Sequence, residues 1–363
     1  MRELILNAAA LKNNLQQVKF KAPRSNILAM VKANAYGHGL AWAAKHLVIA
    51  GANALGVADI EEALQLRKEG IQAPILLLDG VQTKAMLDVA IIQRLHLAVH
   101  DFQQIELLES LRTNQKIHLW LKVDTGMHRM GFLPEDIEAA YQRLLSLNCA
   151  HQPIVLMTHF SDADAQHNVK TKLQIELFQK IHRQLTEKFR KPIQTSLANS
   201  AGVLAWPDSY GDWVRPGLML YGASPFSHQS AENLQLQPVM TVKSSLIAIR
   251  EYAAGECIGY GGAYVCHQKT RVGVVAFGYG DGYPRAAHGS HVSIHGHLVP
   301  VIGRISMDLL QINLTDHPEI QLGEMATLFG EAHPVEKLAV ASNTIPYEIL
   351  CKIMRHRTSV KYQ

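Results

Sequence analysis

The chain has only four cysteines, Cys149, Cys257, Cys266 and Cys351, and no two of them form a C-x-x-C pair. That argues against a disulfide framework, and free thiols in a reducing cytoplasm are the expectation. Charge of one sign is equally scarce. The balance of 35 basic against 31 acidic residues leaves a formal +4, with no long Lys/Arg run. A nucleic-acid partner is therefore not expected. No stretch approaches the about 20 apolar residues of a membrane span, so no membrane partner is expected either. The opening MRELILNAAALKNNLQQVKF lacks the basic-then-apolar pattern of an export signal, which again points to the cytoplasm. Low-complexity tracts and short repeats are absent. What remains is an ordinary globular composition, 48% hydrophobic and 18% charged. At 363 residues it is longer than one core of about 250–300 residues supports, so two domains are expected.

The first part of the chain alternates apolar runs with helix-spaced segments. The runs are ILAMVKA (27–33), ALGVAD (54–59), PILLLDG (74–80), RLHLAVHD (94–101), HLWLKVD (118–124), IVLMTHF (154–160), TSLANS (195–200) and RPGLMLYG (215–222). Helical spacing fills segments such as 60–70, 101–113, 134–148 and 170–190. Eight such runs predict an α/β fold, an N-terminal (β/α)₈ TIM-like barrel over 8–232. A doubly wound open sheet is the competing architecture. In a barrel, Lys32, Asp124, His159, Asn199 and Ser200 close their runs at the C-terminal mouth, where this fold does its chemistry.

From about Pro238 the texture changes to β-branched runs punctuated by glycine, with a hairpin-like turn at His295–Gly296. A mostly β C-terminal domain is predicted over 233–363. The opening strand 1–7 can join either domain.

A lysine ending an apolar barrel run is half desolvated, and burial favours its neutral, nucleophilic amine, which can form a Schiff base. Lys32 stands there in VKANAYGHG (31–39), where the glycine-rich continuation with Tyr36 lets the chain turn. This string resembles the pyridoxal phosphate attachment segment of the bacterial alanine racemase family. LKVDTGMHRMGF, MTHFSDAD, SLANSAG, VRPGLMLYG, GYGGAY, FGYGDGYPR, GRISMD and TIPYEI follow in the family's order along nearly the whole chain.

The resemblance implies a barrel followed by a β domain, head-to-tail homodimers with shared active sites, and interconversion of L-alanine and D-alanine for cell-wall peptidoglycan. It implies pyridoxal 5'-phosphate on Lys32, whose amine serves one face of the substrate Cα. Tyr260, lent by the partner subunit, would serve the other face, since racemisation removes a proton from one side and returns one to the other. His159 would contact that tyrosine, and Arg215 the cofactor's ring nitrogen. Arginine does not give up its proton, so Arg215 donates without protonating the ring, and the weaker electron sink should limit transamination. Tyr36, Ser200, Tyr347 and the backbone at Gly217 and Leu218 would share the phosphate, with Asn199 beside them. Ser200 also stands where a helix cap is expected. Lys122 matches a lysine the family carries as a carbamate, orienting Arg129 toward the cofactor's phenolic oxygen and the substrate carboxylate. Met307 would bind that carboxylate through its backbone. Tyr279, Arg304 and Asp308 would form the entrance.

Two departures stand out: GYGGAY replaces a more usual SYGATY-like run, and Ser306 occupies a position that is often cysteine. Both bear on substrate preference and rate. No metal is expected at the His288, His291, His295, His297 group, which shows no nearby acidic or cysteine partner in the sequence. EEALQLRKE (61–69) reads as a solvated helix face. A decarboxylase of basic amino acids on the same barrel, a broad-specificity racemase and a non-catalytic cofactor carrier are the rival readings. The GRISMD segment, the AYGHG continuation and a β domain bearing Tyr260 favour an alanine racemase.

Overall fold

The computed structural model describes residues 1–354 and 357–363. They divide into a barrel unit, residues 15–35 and 39–220, and a β unit, residues 1–14, 36–38 and 221–363.

Strand β1 (Arg2–Leu6) belongs to the β unit. The barrel strands follow: β2 (Asn26–Met30), β3 (Ala54–Val57), β4 (Ile75–Leu77), β5 (His96–Val99), β6 (Leu119–Lys122), β7 (Ile154–Met157), β8 (Ile193–Ser196) and β9 (Trp213–Val214). All pairings are parallel, and β9 returns to β2 through Asn26↔Trp213 and Ile27↔Val214. That closure removes the open-sheet alternative. Strands β3, β4, β6 and β7 are buried along their full length, as expected of parallel strands covered on both faces.

The helices between them are started by side chains that satisfy orphan backbone N–H groups. Asp59 accepts from Glu62 N at 3.0 Å, Thr83 from Met86 N at 3.2 Å and Asp101 from Gln103 N at 2.8 Å. In Ile60–Lys68 the acidic residues Glu61 and Glu62 sit in the first turn and Arg67 and Lys68 in the last, matching the helix dipole.

The β unit continues with β10 (Met240–Tyr252), β11 (Cys257–Ile258), β12 (Tyr264–Val265), β13 (Thr270–Val275), β14 (His291–Ile294), β15 (His297–Ile302), β16 (Leu310–Asn313), β17 (Met325–Phe329) and β18 (Ser359–Tyr362). Eight of its strands form one sheet in the order β13-β16-β15-β14-β17-β10-β1-β18. The long β10 pairs with β1, β17 and β13, and an irregularity between Leu246 and Ala248 lets it serve several neighbours. Strand β1 therefore joins the β unit, between β10 and β18. The His295–Gly296 turn is a two-residue hairpin with φ of 51° and 83°, the mirror-image turn that suits strand twist.

Candidate active site

Within the barrel unit, Lys32 stands two residues past the end of β2, after Val31, and is half-buried. The chain beyond it does something the sequence did not announce. Ala33, Asn34, Ala35 and Tyr36 have φ of 53°, 55°, 53° and 52°, a left-handed turn made without glycine. Such a conformation costs about 1–2 kcal/mol per non-glycine residue and persists only where neighbours hold it. Here Ala35 N bonds to Val31 O at 2.8 Å, Gly39 N to Asn34 O at 2.9 Å and Leu40 N to Asn34 Oδ1 at 2.8 Å. The Glu62 carboxylate accepts from Asn34 N at 3.0 Å and from Ala58 N at 3.2 Å. Glu62 therefore departs from the solvated-face reading of 61–69. Its side chain ties the Lys32 turn to the loop after β3.

Arg215 follows β9 and is 3% exposed. Its Nη1 donates to Ser196 Oγ at 2.7 Å, and its Nη2 to Thr158 O and to Leu197 O at 3.1 Å. Nη2 also lies 3.4 Å from His159 Nδ1. Burial lowers the guanidinium to about 10, which leaves it charged at neutral pH. His159 is held well below its ordinary value by burial and by Arg215, Arg129, Lys122 and Lys32. It is therefore neutral, with Nδ1 toward the arginine and Nε2 as its donor.

Lys122 ends β6 and is buried. Burial, with Arg215 and Arg129 nearby, lowers its amine to about 8. Arg129 sits on an exposed loop that Asp124 anchors, its Oδ1 accepting from Gly126, Met127 and His128 N at 2.8–3.1 Å. Lys32, Lys122, Arg129, His159 and Arg215 thus form one electrostatic group at the C-terminal ends of the barrel strands.

Asn199, not Ser200, caps the helix Ser200–Ala205, accepting from Gly202 N at 2.9 Å. Ser200 is the helix's first residue, and its buried Oγ accepts from Gly217 N at 2.8 Å and Met219 N at 3.3 Å. With both lone pairs taken by backbone N–H groups, the hydroxyl can only present its proton outward. Leu218 is fully buried between these two donors.

In the β unit, the Tyr36 ring stacks on Tyr221 at 4.8 Å and tilts against Tyr347 at 5.9 Å. Burial, then Tyr347 and Cys351, raises the Tyr36 phenol, so it remains a donor. A Cβ on Gly37, at φ 81°, would fall 2.1 Å from Leu350 O, so only glycine fits there. Tyr260 stands on a glycine-flanked turn, Tyr260–Gly262, and is 64% exposed. Tyr260, Gly261, Ser306 and Leu309 line a cavity of about 470 Å³.

The turn Tyr279–Asp281 is bonded to the Ser306–Met307 segment, Tyr279 N to Ser306 O at 3.0 Å and Gly280 N to Met307 O at 2.7 Å. This brings Tyr279 and Met307 together, both exposed. Arg304 is exposed beside the Gly261 turn. Asp308 pairs with Arg357. Sequence reasoning passed over Asp281, which is fully buried and lies 3.3 Å from Arg2 Nε and 3.2 Å from Arg357 Nε. Its place inside FGYGDGYPR was the available signal. Two of the clustered histidines do face carboxylates, His295 with Glu324 at 3.4 Å and His297 with Glu319 at 4.0 Å. No metal-holding group of three such residues occurs among the described residues.

The residues fit pyridoxal phosphate by the chemistry of their donors. An amine is available for a Schiff base, a buried charged guanidinium has its Nε outside the bonds described above, and a serine hydroxyl is oriented by two backbone groups.

Comparison with known proteins agrees along the whole chain. Residues 6–225 match the family model "Alanine racemase, N-terminal domain" and residues 239–362 "Alanine racemase, C-terminal domain". The chain is 46% identical over 349 residues to an alanine racemase of Aeromonas hydrophila, covering 96% of each. It is 44% identical to the biosynthetic alanine racemase of Salmonella typhimurium, covering 99% of this chain and 98% of the relative. Among solved structures, the biosynthetic alanine racemase of Pseudomonas aeruginosa matches with a TM-score of 0.94 and 36% identity, covering 100% of this chain and 99% of that one. The alanine racemase of Bartonella henselae, with covalently bound pyridoxal phosphate, matches with a TM-score of 0.89 and 28% identity, covering 100% and 99%.

Proposed function

The chain belongs to the alanine racemase family, and on that premise we propose how its own residues interconvert L-alanine and D-alanine. The observation that carries the residue assignment is the cationic group around Lys32, in which every side chain matched to the cofactor from the barrel takes part or adjoins. When bound, pyridoxal 5'-phosphate supplies an electron sink that acidifies the substrate Cα–H.

Lys32 would hold the cofactor, and its amine would take or return a proton on one face of the substrate Cα. Arg215 would donate Nε to the ring nitrogen, while Nη1 is bonded to Ser196 and Nη2 to Thr158 and Leu197 beside His159. The Ser200 hydroxyl and the Leu218 backbone N–H bind the phosphate, and Asn199 fixes the helix start beside it. The Gly217 N–H, expected there too, is instead given to Ser200 Oγ and orients that hydroxyl. Tyr36 and Tyr347 are matched to the same phosphate. Arg129 and the Met307 backbone orient the substrate carboxylate, while Tyr279, Arg304 and Asp308 shape the approach.

Lys122 carries a carbamate in this reading. Three cationic neighbours penalise its ammonium form, and an anion in its place would relieve them. The amine nitrogen bonds to the carbon of CO₂, and one proton leaves to solvent.

Tyr260 serves the opposite Cα face of a partner chain, with His159 Nε2 of the receiving barrel as its hydrogen-bond donor. A 64% exposed tyrosine on a rigid turn is poorly placed for acid–base work until a second chain covers it. The protein is accordingly a homodimer of the cytoplasm, supplying D-alanine to peptidoglycan.

Borohydride reduction of the holoenzyme should fix the cofactor to the Lys32 peptide, and a label on another lysine would remove the assignment. Racemisation of L-alanine, L-serine and L-lysine should be compared side by side. One extra group in a snug pocket costs about 1–3 kcal/mol, so serine should be slow but detectable. Equal efficiency with lysine would favour the broad-specificity reading.

A further inference from the structure

The end of the barrel away from Lys32 and Lys122 holds a second set of basic groups that racemisation does not use. A pocket of about 760 Å³ opens at the starts of β4, β5 and β6. Arg67, Arg94, Lys116, His96 and His118 line it, and no Asp or Glu does so among the described residues. Its rims are glutamines and apolar side chains. Polar surface of one sign, collected in a concave place without a counter-charge, is the arrangement expected of an anion site.

Two of its lining imidazoles, His96 and His118, continue into a column of three with His151 stacked behind His118. His96 and His118 are 4.2 Å apart at 14°, and His118 and His151 are 3.8 Å apart at 25°. The Nδ1 atoms of His96 and His151 are buried without a hydrogen-bond partner. A buried donor or acceptor left unpaired is destabilising, so such atoms call for an explanation. Arg67 is held in place by three carbonyls, donating Nε to Gln93 O at 3.0 Å and Nη1 to Ile71 O and Ala73 O at 2.7 and 2.8 Å. Its Nη2 takes no part in these bonds. Burial and the neighbouring Arg94 both disfavour its charge, again with no carboxylate to compensate.

We propose that this face of the barrel binds a compact multivalent anion, a polycarboxylate or a phosphate ester, between Arg67, Arg94 and Lys116, with the lining imidazoles of His96 and His118 taking up a proton as it binds.

The linkage has a definite sign. Burial first, then His118, His151 and Arg67, push His96 down to about 3, and burial and His151 lower His118. The groups facing the column are Arg67 from the helix before β4, Arg94 and Lys116 from the adjoining loops, and the histidines themselves. An anion among them opposes the depression of His96 and His118, so binding favours proton uptake and tightens as pH falls.

The test titrates the holoenzyme calorimetrically with citrate and, separately, with pyrophosphate at pH 6 and pH 8, in buffers of different ionisation enthalpy. Saturable binding, tighter at pH 6 and with net proton uptake, is expected. Preference for citrate would identify the polycarboxylate class and preference for pyrophosphate the phosphate class. The double variant Arg94→Gln/Lys116→Gln should weaken binding ~10²-fold or more, since it removes two charge-assisted bonds. Its racemisation of alanine without added anion should be unchanged. His96→Phe, which keeps a ring in the column, should reduce the pH dependence while binding at pH 8 persists. No saturable binding below about 1 mM, or binding that the double variant leaves intact, overturns the proposal.

Discussion

Arg215 Nη2 lies 3.4 Å from His159 Nδ1, and the same nitrogen donates to the carbonyls of Thr158 and Leu197. One guanidinium thus ties the ends of β7, β8 and β9 together and fixes which histidine nitrogen is the acceptor. Arg215→Lys retains a charge but has one nitrogen to replace a planar fork. Turnover should fall ~10²-fold or more, as when one preorganised donor is removed, and the melting temperature should also drop. Unchanged turnover with intact folding would show that Nε has no role at the ring.

The turn after Lys32 gives a second expectation. Glu62 reaches Asn34 N and Ala58 N from a neighbouring helix, and four left-handed residues depend on such support. Glu62→Ala should lose stability by about 1–3 kcal/mol and broaden the cofactor's visible circular dichroism band. Glu62→Gln keeps an acceptor oxygen for one of the two bonds and should recover part of both effects. A melting temperature and a dichroism band that neither variant alters would remove Glu62 from the support of the turn.

These two cases mark where the sequence was legible. Seven of the eight barrel runs overlap a strand, because parallel strands covered on both faces tend to be short apolar blocks. The eighth, RPGLMLYG, is a correction: the strand is Trp213–Val214 just before it, and Leu218–Tyr221 forms a 3₁₀ turn. Lys32 and His159 could be placed because they stand at the ends of such blocks, whereas Arg215 was placed only by the resemblance at VRPG. The left-handed turn was not legible, since Ala-Asn-Ala-Tyr carries none of the glycine that normally signals positive φ. The cap fell on Asn199 rather than Ser200 because both are good caps and the pattern cannot register a helix start to one residue. Glu62 and Asp281 were missed for a common reason. Each acts on backbone or arginine partners distant in sequence, and a carboxylate in a charged or glycine-rich run looks solvated until the chain is folded.

Lys122 carries a pH expectation. Its amine is lowered to about 8 by burial, then by Arg215 and Arg129. Carbon dioxide adds only to the neutral amine, so modification should rise as pH climbs through that value and fall below it. The carbamate carbon should appear in ¹³C NMR of enzyme equilibrated at fixed ¹³CO₂ pressure, and Lys122→Met should lose it. A signal independent of pH between 6.5 and 9 (about the span set by an amine half-neutral near 8), or one that survives the substitution, would remove the carbamate from this site.

The composite active site can be tested by counting. Lys32 belongs to the barrel unit and Tyr260 to the β unit, where it is largely exposed. Removing either base should cost ~10²–10⁴-fold, because each serves one face of the Cα. Suppose chains carrying Lys32→Ala and Tyr260→Phe, each inactive alone, are mixed and allowed to exchange partners. In a two-fold dimer whose sites pair one chain's Lys32 with the other's Tyr260, a mixed dimer has one doubly mutated site and one intact site. Random exchange makes about half the dimers mixed, so about a quarter of all sites should regain activity. If each site were built within one chain, the mixed dimer would hold no intact site and activity would stay at background. Recovery well below a quarter, with exchange demonstrated by mass-tagged subunits, would therefore place Tyr260 in its own chain's site and sink the shared arrangement.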